Sequence, residues 1–203
     1  MRKLSISIMT AFLFLGFSLP APTITDKERK DASELLSKTE QGVFDVVKGL
    51  SDAQLKYKPA PDRWSPEECI KHIAVTELAL WQMVEGTLKQ PANPDKRADI
   101  KVTDEQVVAM IENRTHKVKT ATQFEPQNSP FKTLDEALAS FKTNREKLIE
   151  YVNATQEDLR NHVVTFPPGS FDCYQMVLFI GAHSNRHTQQ ATEVKADAGY
   201  PKN

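Results

Sequence analysis

The chain has 203 residues, of which 39% are hydrophobic and 26% are charged, a composition typical of a soluble globular domain. Its 26 Lys and Arg nearly balance 27 Asp and Glu, so there is no basic excess to attract nucleic acid, and we expect no nucleic-acid partner. The seven glycines form no phosphate-binding loop or dinucleotide fingerprint, which argues against nucleotide-dependent classes.

Residues 1–22 have the pattern of a secretory signal peptide. Two basic residues, Arg2 and Lys3, precede an apolar run from Leu4 to Leu19, and the small residue Ala21 follows. The run is short for a membrane span. We therefore predict a cleaved signal over residues 1–22, one domain over 23–203, export to the periplasm or medium, and no stable membrane span after cleavage. An uncleaved N-terminal anchor is the alternative.

Helical patterns dominate the rest of the chain. Thr25, Ser65 and Thr133 are each followed three residues later by Glu, the signature of a capping box at a helix start. Apolar residues then recur at steps of three and four. The predicted helices cover residues 26–51, 66–88, 104–123, 134–153 and 171–197, and the third of these is the shorter and more polar one.

Four of these helices are long and amphipathic, which favours a four-helix bundle. The long, proline-containing connection over residues 88–133 permits a crossover and carries the extra shorter helix. The nearest pattern to a β-strand is Val163–Phe166, which is short and ends at two prolines. The sequence therefore predicts an all-α, single-domain bundle.

The last helix carries the strongest chemical signal. His183 and His187 lie one helical turn apart on the same face, and Gln190 lies beside them within the apolar stripe. Two imidazoles at this spacing can chelate one divalent cation. The alternative is a pair of hydrogen-bonded core histidines.

The second helix offers two further candidates. His72 lies at the edge of its apolar face and is either a third metal ligand or a partly exposed histidine. Glu77 lies near the centre of that face, where a carboxylate needs a partner such as an imidazole, a hydroxyl, an arginine or a metal-bound water. A structural salt bridge is the alternative. His116 and His162 have polar surroundings and are predicted to lie at the surface.

Two segments resemble the DinB superfamily, which includes the YfiT-like metal-dependent hydrolases. Residues 63–72, RWSPEECIKH, resemble its Trp-Ser…His motif, and Glu77 also matches the pattern. Residues 183–190, HSNRHTQQ, resemble its His-x3-His-x2-Gln motif, although Gln189 stands where many members have Gly. The resemblance covers about residues 26–198, nearly the whole predicted mature chain.

The resemblance implies an up-down-down-up bundle in which His72, His183 and His187 bind one divalent metal, often zinc or nickel, with positions left for water or substrate. Its characterised members include thiol-dependent S-transferases. We expect a metal-dependent enzyme acting on a small molecule, with Glu77 or Gln190 orienting or deprotonating the nucleophile. Hydrolysis is slightly favoured over thiol transfer, because small thiol cofactors are chiefly cytosolic. The alternatives are a non-catalytic metal- or ligand-binding bundle and a plain structural bundle, and a homodimer stays open.

Cys69 and Cys173 are the two cysteines, and export would permit a disulfide between them. Cys69 precedes His72 by three residues and Cys173 precedes His183 by ten. The resemblance implies that the α-helices carrying these residues run antiparallel and that the metal holds His72 level with His183 and His187. The two cysteines then lie on opposite sides of the metal, about 20 Å apart along the bundle, beyond the roughly 7 Å limit between the Cα atoms of a disulfide. We therefore predict two free thiols.

Overall fold

The computed structural model describes residues 24–202, so the predicted signal peptide lies outside the described residues. Within them, no helix is both long and apolar enough to cross a membrane. The helices are α1 (Asp26–Val47), α2 (Asp52–Lys56), α3 (Pro66–Leu88), α4 (Asp104–Glu112), α5 (Leu134–Ala154) and α6 (Cys173–Lys195). Two short strands, β1 (Val163–Phe166) and β2 (Gly169–Asp172), precede α6.

Helices α1, α3, α5 and α6 form the predicted four-helix bundle. One core cluster joins the C-terminal ends of α1 and α6 to the N-terminal ends of α3 and α5. A second cluster joins the opposite ends of the same helices, and α4 packs there against α6. The helices therefore run up, down, down and up. The segment between α3 and α5 returns along the bundle, which confirms the predicted crossover.

The helix starts agree with the capping signals. Thr25, Ser65 and Thr133 each accept a hydrogen bond from the backbone N–H three residues later, and the side chain of that later residue bonds back. Thr103 forms the same kind of cap at the start of α4. Each such cap satisfies N–H groups that a helix cannot pair internally, and it contributes about 1 kcal/mol. Sequence-local chemistry therefore determines where the bundle helices begin.

Three helices are shorter than predicted: α1, α4 and, by two residues at each end, α6. Helix α1 ends at Val47 rather than residue 51, because Gly49 adopts φ +72° and the chain turns into α2. Helix α4 ends at Glu112 rather than residue 123. Ile111 is its last buried apolar residue, and the chain beyond it is largely exposed. Without an apolar face to bury, those residues gain little from staying helical.

A β-hairpin replaces the predicted start of α6. Strand β1 matches the one segment that resembled a strand, and it pairs antiparallel with β2. The sequence did not indicate β2. Helix α6 consequently begins at Cys173 instead of residue 171, after Asp172, whose carboxylate accepts a hydrogen bond from the Gln175 N–H at 2.8 Å. The hairpin is small, and the fold is all-α.

Candidate metal centre

The fold brings His72 of α3 together with His183 and His187 of α6. One ring nitrogen of each histidine lies within 4.8 Å of a ring nitrogen of each of the other two. His72 is 2% exposed and His187 8% exposed, while His183 is half-buried. His72 is thus a core residue and not the partly exposed histidine that its place at the edge of the apolar face allowed. Antiparallel packing of α3 on α6 creates the cluster.

Two of the rings have a fixed orientation through Nδ1. His72 Nδ1 lies 2.7 Å from the backbone carbonyl oxygen of Phe124, in the crossover segment. His187 Nδ1 lies 2.9 Å from Gln190 Oε1, one turn further along α6. Because both partners are acceptors, each Nδ1 carries the hydrogen and donates it. The lone pair of each ring is therefore on Nε2.

The third ring has a longer contact of the same kind. His183 Nδ1 lies 3.4 Å from Thr76 Oγ1, and Thr76 uses its hydroxyl hydrogen to bond the His72 carbonyl oxygen at 2.7 Å. The hydroxyl oxygen is left as an acceptor for the His183 N–H. All three Nε2 atoms are then free to face a common centre, the tautomer in which imidazole binds a metal.

The three rings are held in their neutral form. Burial lowers the pKa of His72 from 6.5 to about 4, against the opposing effect of the Phe124 carbonyl. Burial also places the pKa values of His183 and His187 well below 6.5, and the neighbouring histidines lower them further. Metal binding requires a neutral imidazole, so no proton has to be displaced from these rings near neutral pH.

This donor set fits a divalent metal of the imidazole-preferring kind. Three neutral, oriented imidazoles match a catalytic site with an open position rather than a closed four-ligand structural site. Imidazole suits zinc and nickel, and also copper and ferrous iron. The ligands therefore support the predicted class of metal without choosing between zinc and nickel.

Aromatic side chains cover the cluster. The Trp64 ring is stacked on His187, with ring centroids 5.6 Å apart, and it also contacts His72 at 4.8 Å. On the other side, Phe179 is stacked on His183 at 6.2 Å. These ring contacts restrict rotation of the imidazoles.

Glu77 is buried beside the cluster and has an arginine partner. Its two carboxylate oxygens accept hydrogen bonds from Arg145 Nε at 2.7 Å and Arg145 Nη2 at 2.6 Å. The Ser184 hydroxyl lies 3.3 Å from the same carboxylate. Of the partners considered from sequence, the structure thus provides the arginine and a hydroxyl. This is the interhelical salt bridge that was the alternative to a role at the metal.

Arg145 itself is fully buried at the centre of the bundle. Its Nη1 donates to the Leu36 carbonyl oxygen and to Thr39 Oγ1, both at 2.7 Å. Its remaining donors go to α3 and α6, through Glu77 and through Ser184 at 2.8 Å. The guanidinium, carried by α5, therefore connects all four bundle helices, and its charge is paired and hydrogen-bonded as burial requires.

A cavity of about 530 Å³ leads from solvent to the cluster. His187, Gln190 and Trp64 lie in its wall, so the cavity reaches the cluster at His187. Its volume is within the roughly 300–1,000 Å³ range of small-molecule sites. Gln190 is thus placed both to orient His187 and to contact a ligand.

Several site residues were not predicted from the sequence. Thr76 lies one turn after His72 on the same face of α3, a spacing that could have identified it. No local pattern points to the Phe124 carbonyl, to Arg145 or to Ser184, because their contacts depend on tertiary packing. Of the two histidines predicted to lie at the surface, His116 is exposed and His162 is half-buried.

Comparison with known proteins agrees with this architecture. The sequence profile described as the DinB superfamily matches residues 35–191. The uncharacterized protein YuaE of Bacillus subtilis (strain 168) is 27% identical over 153 residues, which cover 75% of this chain and 90% of YuaE. The structure of YfiT from Bacillus subtilis superimposes on this chain with a TM-score of 0.60 and 15% sequence identity, over 92% of this chain and 97% of YfiT. YfiT is described as a probable metal-dependent hydrolase with an unusual four-helix bundle topology. The chain belongs to the DinB superfamily.

Proposed function

We propose that this protein is a metal-dependent hydrolase of a small molecule, with one divalent metal held by His72, His183 and His187. Two observations together carry the proposal: one nitrogen from each of the three rings lies within 4.8 Å of those of the other two, and each imidazole has an oxygen acceptor at Nδ1, which leaves Nε2 free as the donor atom for a metal. In a purely structural core, buried polar nitrogens are normally all hydrogen-bonded. Three clustered imidazoles that each keep one nitrogen free therefore favour a metal site over a structural core.

A divalent metal held by these three imidazoles would lower the pKa of the water bound to it to about 7 and would polarise a carbonyl or phosphoryl group. The protein contributes orientation and access. Gln190 accepts the His187 N–H and, from the cavity wall, can donate its amide hydrogens to a substrate oxygen. Trp64 limits the water that reaches the rings.

Glu77 is proposed as a positioning residue. Its carboxylate is bound to Arg145 and lies near the Ser184 hydroxyl. Ser184 is the residue after His183 on α6. The ion pair therefore holds α6, and with it His183, in register against α3. This role replaces direct proton transfer by Glu77 as the simplest reading of its contacts.

The choice of hydrolysis has two supports. The similar fold of YfiT belongs to a protein described as a probable metal-dependent hydrolase. The proposed export of this chain would also separate it from cytosolic thiol cofactors, which makes the thiol-transferase alternative less favourable.

Zinc and nickel are the proposed metals. Export itself would be tested by mass spectrometry of protein from the native host, which should find a mature chain that begins near residues 19–25.

The function is tested with purified protein loaded with zinc or with nickel and assayed against ester, amide and thiol-acceptor panels. We expect hydrolysis of at least one ester or amide that depends on the metal and is lost in His187→Ala. The control His162→Ala removes an imidazole that lies outside both the cluster and the cavity wall, and it should leave turnover unchanged. Metal binding without turnover of any panel member would instead support a non-catalytic metal-binding bundle.

A further inference from the structure

The mouth of the site cavity has an excess of positive charge. Three acidic side chains lie in its wall, at Asp62, Glu68 and Glu125. Twice as many cationic side chains lie there, at Lys58, Arg63, Arg114, Lys117, Lys119 and Arg186. The whole chain has a formal net charge of −1, so this excess is a local property of the entrance.

Some of these cations are paired and others are not. Arg114 forms a two-pronged ion pair with Glu193, and Lys58 lies 3.0 Å from Glu68. Within residues 24–202, neither Lys117 nor Lys119 has a carboxylate within ion-pair distance. Both are exposed and face the cavity from the segment that follows α4. The unpaired charge is therefore on the crossover side of the entrance.

A fixed guanidinium lies next to the histidines. Arg186 precedes His187 on α6, and it donates to the backbone carbonyls of Ile111, Asn113 and His116, the last at 3.0 Å. Those partners are neutral, so they hold the guanidinium without neutralising its charge. A rigid cation at the wall attracts an anion without losing side-chain entropy on binding.

The second surface cavity of the described chain differs in charge. Arg97 and Arg160 face three acids there, and Arg160 is hydrogen-bonded to all three. Every charge in that cavity has a partner, as in a structural ion network. The uncompensated excess at the histidine cavity is thus absent from this second cavity.

We propose that the site takes a small anionic substrate, one with a carboxylate or phosphate group, which the basic entrance binds while its scissile group reaches the three histidines. The inference rests on the proposed function and names its substrate class. Charges around a cleft with low-dielectric walls concentrate the oppositely charged ligand and speed its arrival. An anionic group near Lys117, Lys119 and Arg186 would leave the rest of the molecule directed toward Gln190 and His187.

The test compares two probes of nearly the same shape, the dianion isophthalate and the neutral isophthalamide, titrated by ligand-observed NMR. The full chain is used as purified, and its metal content is measured in the same samples. At low ionic strength, we expect isophthalate to bind the wild-type protein about tenfold more tightly than isophthalamide, the size of effect expected for exposed charges several ångströms from a ligand. The double variant Lys117→Glu/Lys119→Glu should lose about that factor in its affinity for isophthalate. Its affinity for the neutral isophthalamide should differ from that of wild type by less than about twofold.

The matched control is Lys38→Glu/Lys147→Glu, the same charge change at two exposed lysines of α1 and α5 that lie outside the cavity wall. It should leave isophthalate binding within about twofold. Equal affinity for the two probes, or equal losses in the two variant pairs, would overturn the inference. Neither result depends on turnover, so failure of the hydrolase proposal would appear separately, as absent metal or absent hydrolysis.

Discussion

The Nδ1 atom of His187 lies 2.9 Å from Oε1 of Gln190, three residues further along the same helix. This contact sets both the tautomer and the plane of the imidazole, because an amide oxygen can only accept a hydrogen bond. A single turn of α6 therefore holds a proposed metal ligand and the group that orients it.

Replacing Gln190 should weaken metal binding without removing a ligand. We expect Gln190→Ala to lower the affinity for zinc by about 10- to 100-fold, the usual effect of losing the partner that orients a metal-binding histidine. Affinity is measured by competition with a chromophoric chelator. Gln189→Ala, one position earlier on the helix, serves as the control and should retain wild-type affinity. Equal affinities in the two variants would show that the contact has no role at a metal.

The buried pair of Glu77 and Arg145 should dominate the stability of the bundle. Arg145→Met leaves the Glu77 carboxylate without its cationic partner, and we expect it to lower the free energy of unfolding by about 3–5 kcal/mol. Adding Glu77→Leu should recover part of that loss, since the orphaned charge is gone. Urea denaturation provides the measurement. If the loss of unfolding free energy in the double variant equalled the sum of the losses in Arg145→Met alone and Glu77→Leu alone, the two residues would not be coupled.

An exposed ion pair gives the comparison for that experiment. Lys142 and Glu146 lie 3.8 Å apart on α5 with side chains that are 58% and 59% exposed. Lys142→Met should change the free energy of unfolding by less than about 0.5 kcal/mol, because solvent screens such pairs. The contrast separates burial from ion pairing as the source of the Arg145 effect.

The two cysteines should be free and unreactive in the folded protein. Both are buried thiols, at the N-terminal ends of α3 and α6, which lie at opposite ends of the bundle. Burial raises the pKa of Cys173 from 9.0 to about 12 and raises that of Cys69 as well. Their protonated forms therefore persist above pH 9, and ionisation at higher pH favours the unfolded state.

A thiol-reactive chromophore at pH 9 should find almost no thiol in native protein and two per chain after denaturation without reductant. The expectation follows from the thiolate being the reactive form. Rapid labelling of the native protein would contradict the burial of these residues. An intramolecular disulfide would contradict the antiparallel arrangement of α3 and α6.

The sequence predicted the bundle well because its signals are local. The capping boxes at Ser65 and Thr133 and the apolar stripes lie within single helices, so their helices appear where expected. Helix α4 was predicted too long because a polar segment gives no sign of where tertiary contacts end. Strand β2 has no pattern of its own and exists through pairing with β1.

The same division applies to the site. His183, His187 and Gln190 share one helix, and their spacing alone predicted that the three side chains lie together. His72 needed the family resemblance, since its own helix placed it at the edge of the apolar face. For Glu77 the sequence implied a buried partner, but 68 residues separate it from Arg145, and no local spacing predicts which arginine that is.

The metal content of the purified protein tests the central claim most directly. Elemental analysis compares wild type, His187→Ala and the control His116→Ala, which removes an exposed histidine outside the cluster. Wild type and the control should contain about one divalent metal per chain. His187→Ala should contain little, because two imidazoles bind a metal far more weakly than three. Equal metal in wild type and His187→Ala, or no metal in protein incubated with zinc and nickel, would contradict the three-histidine site.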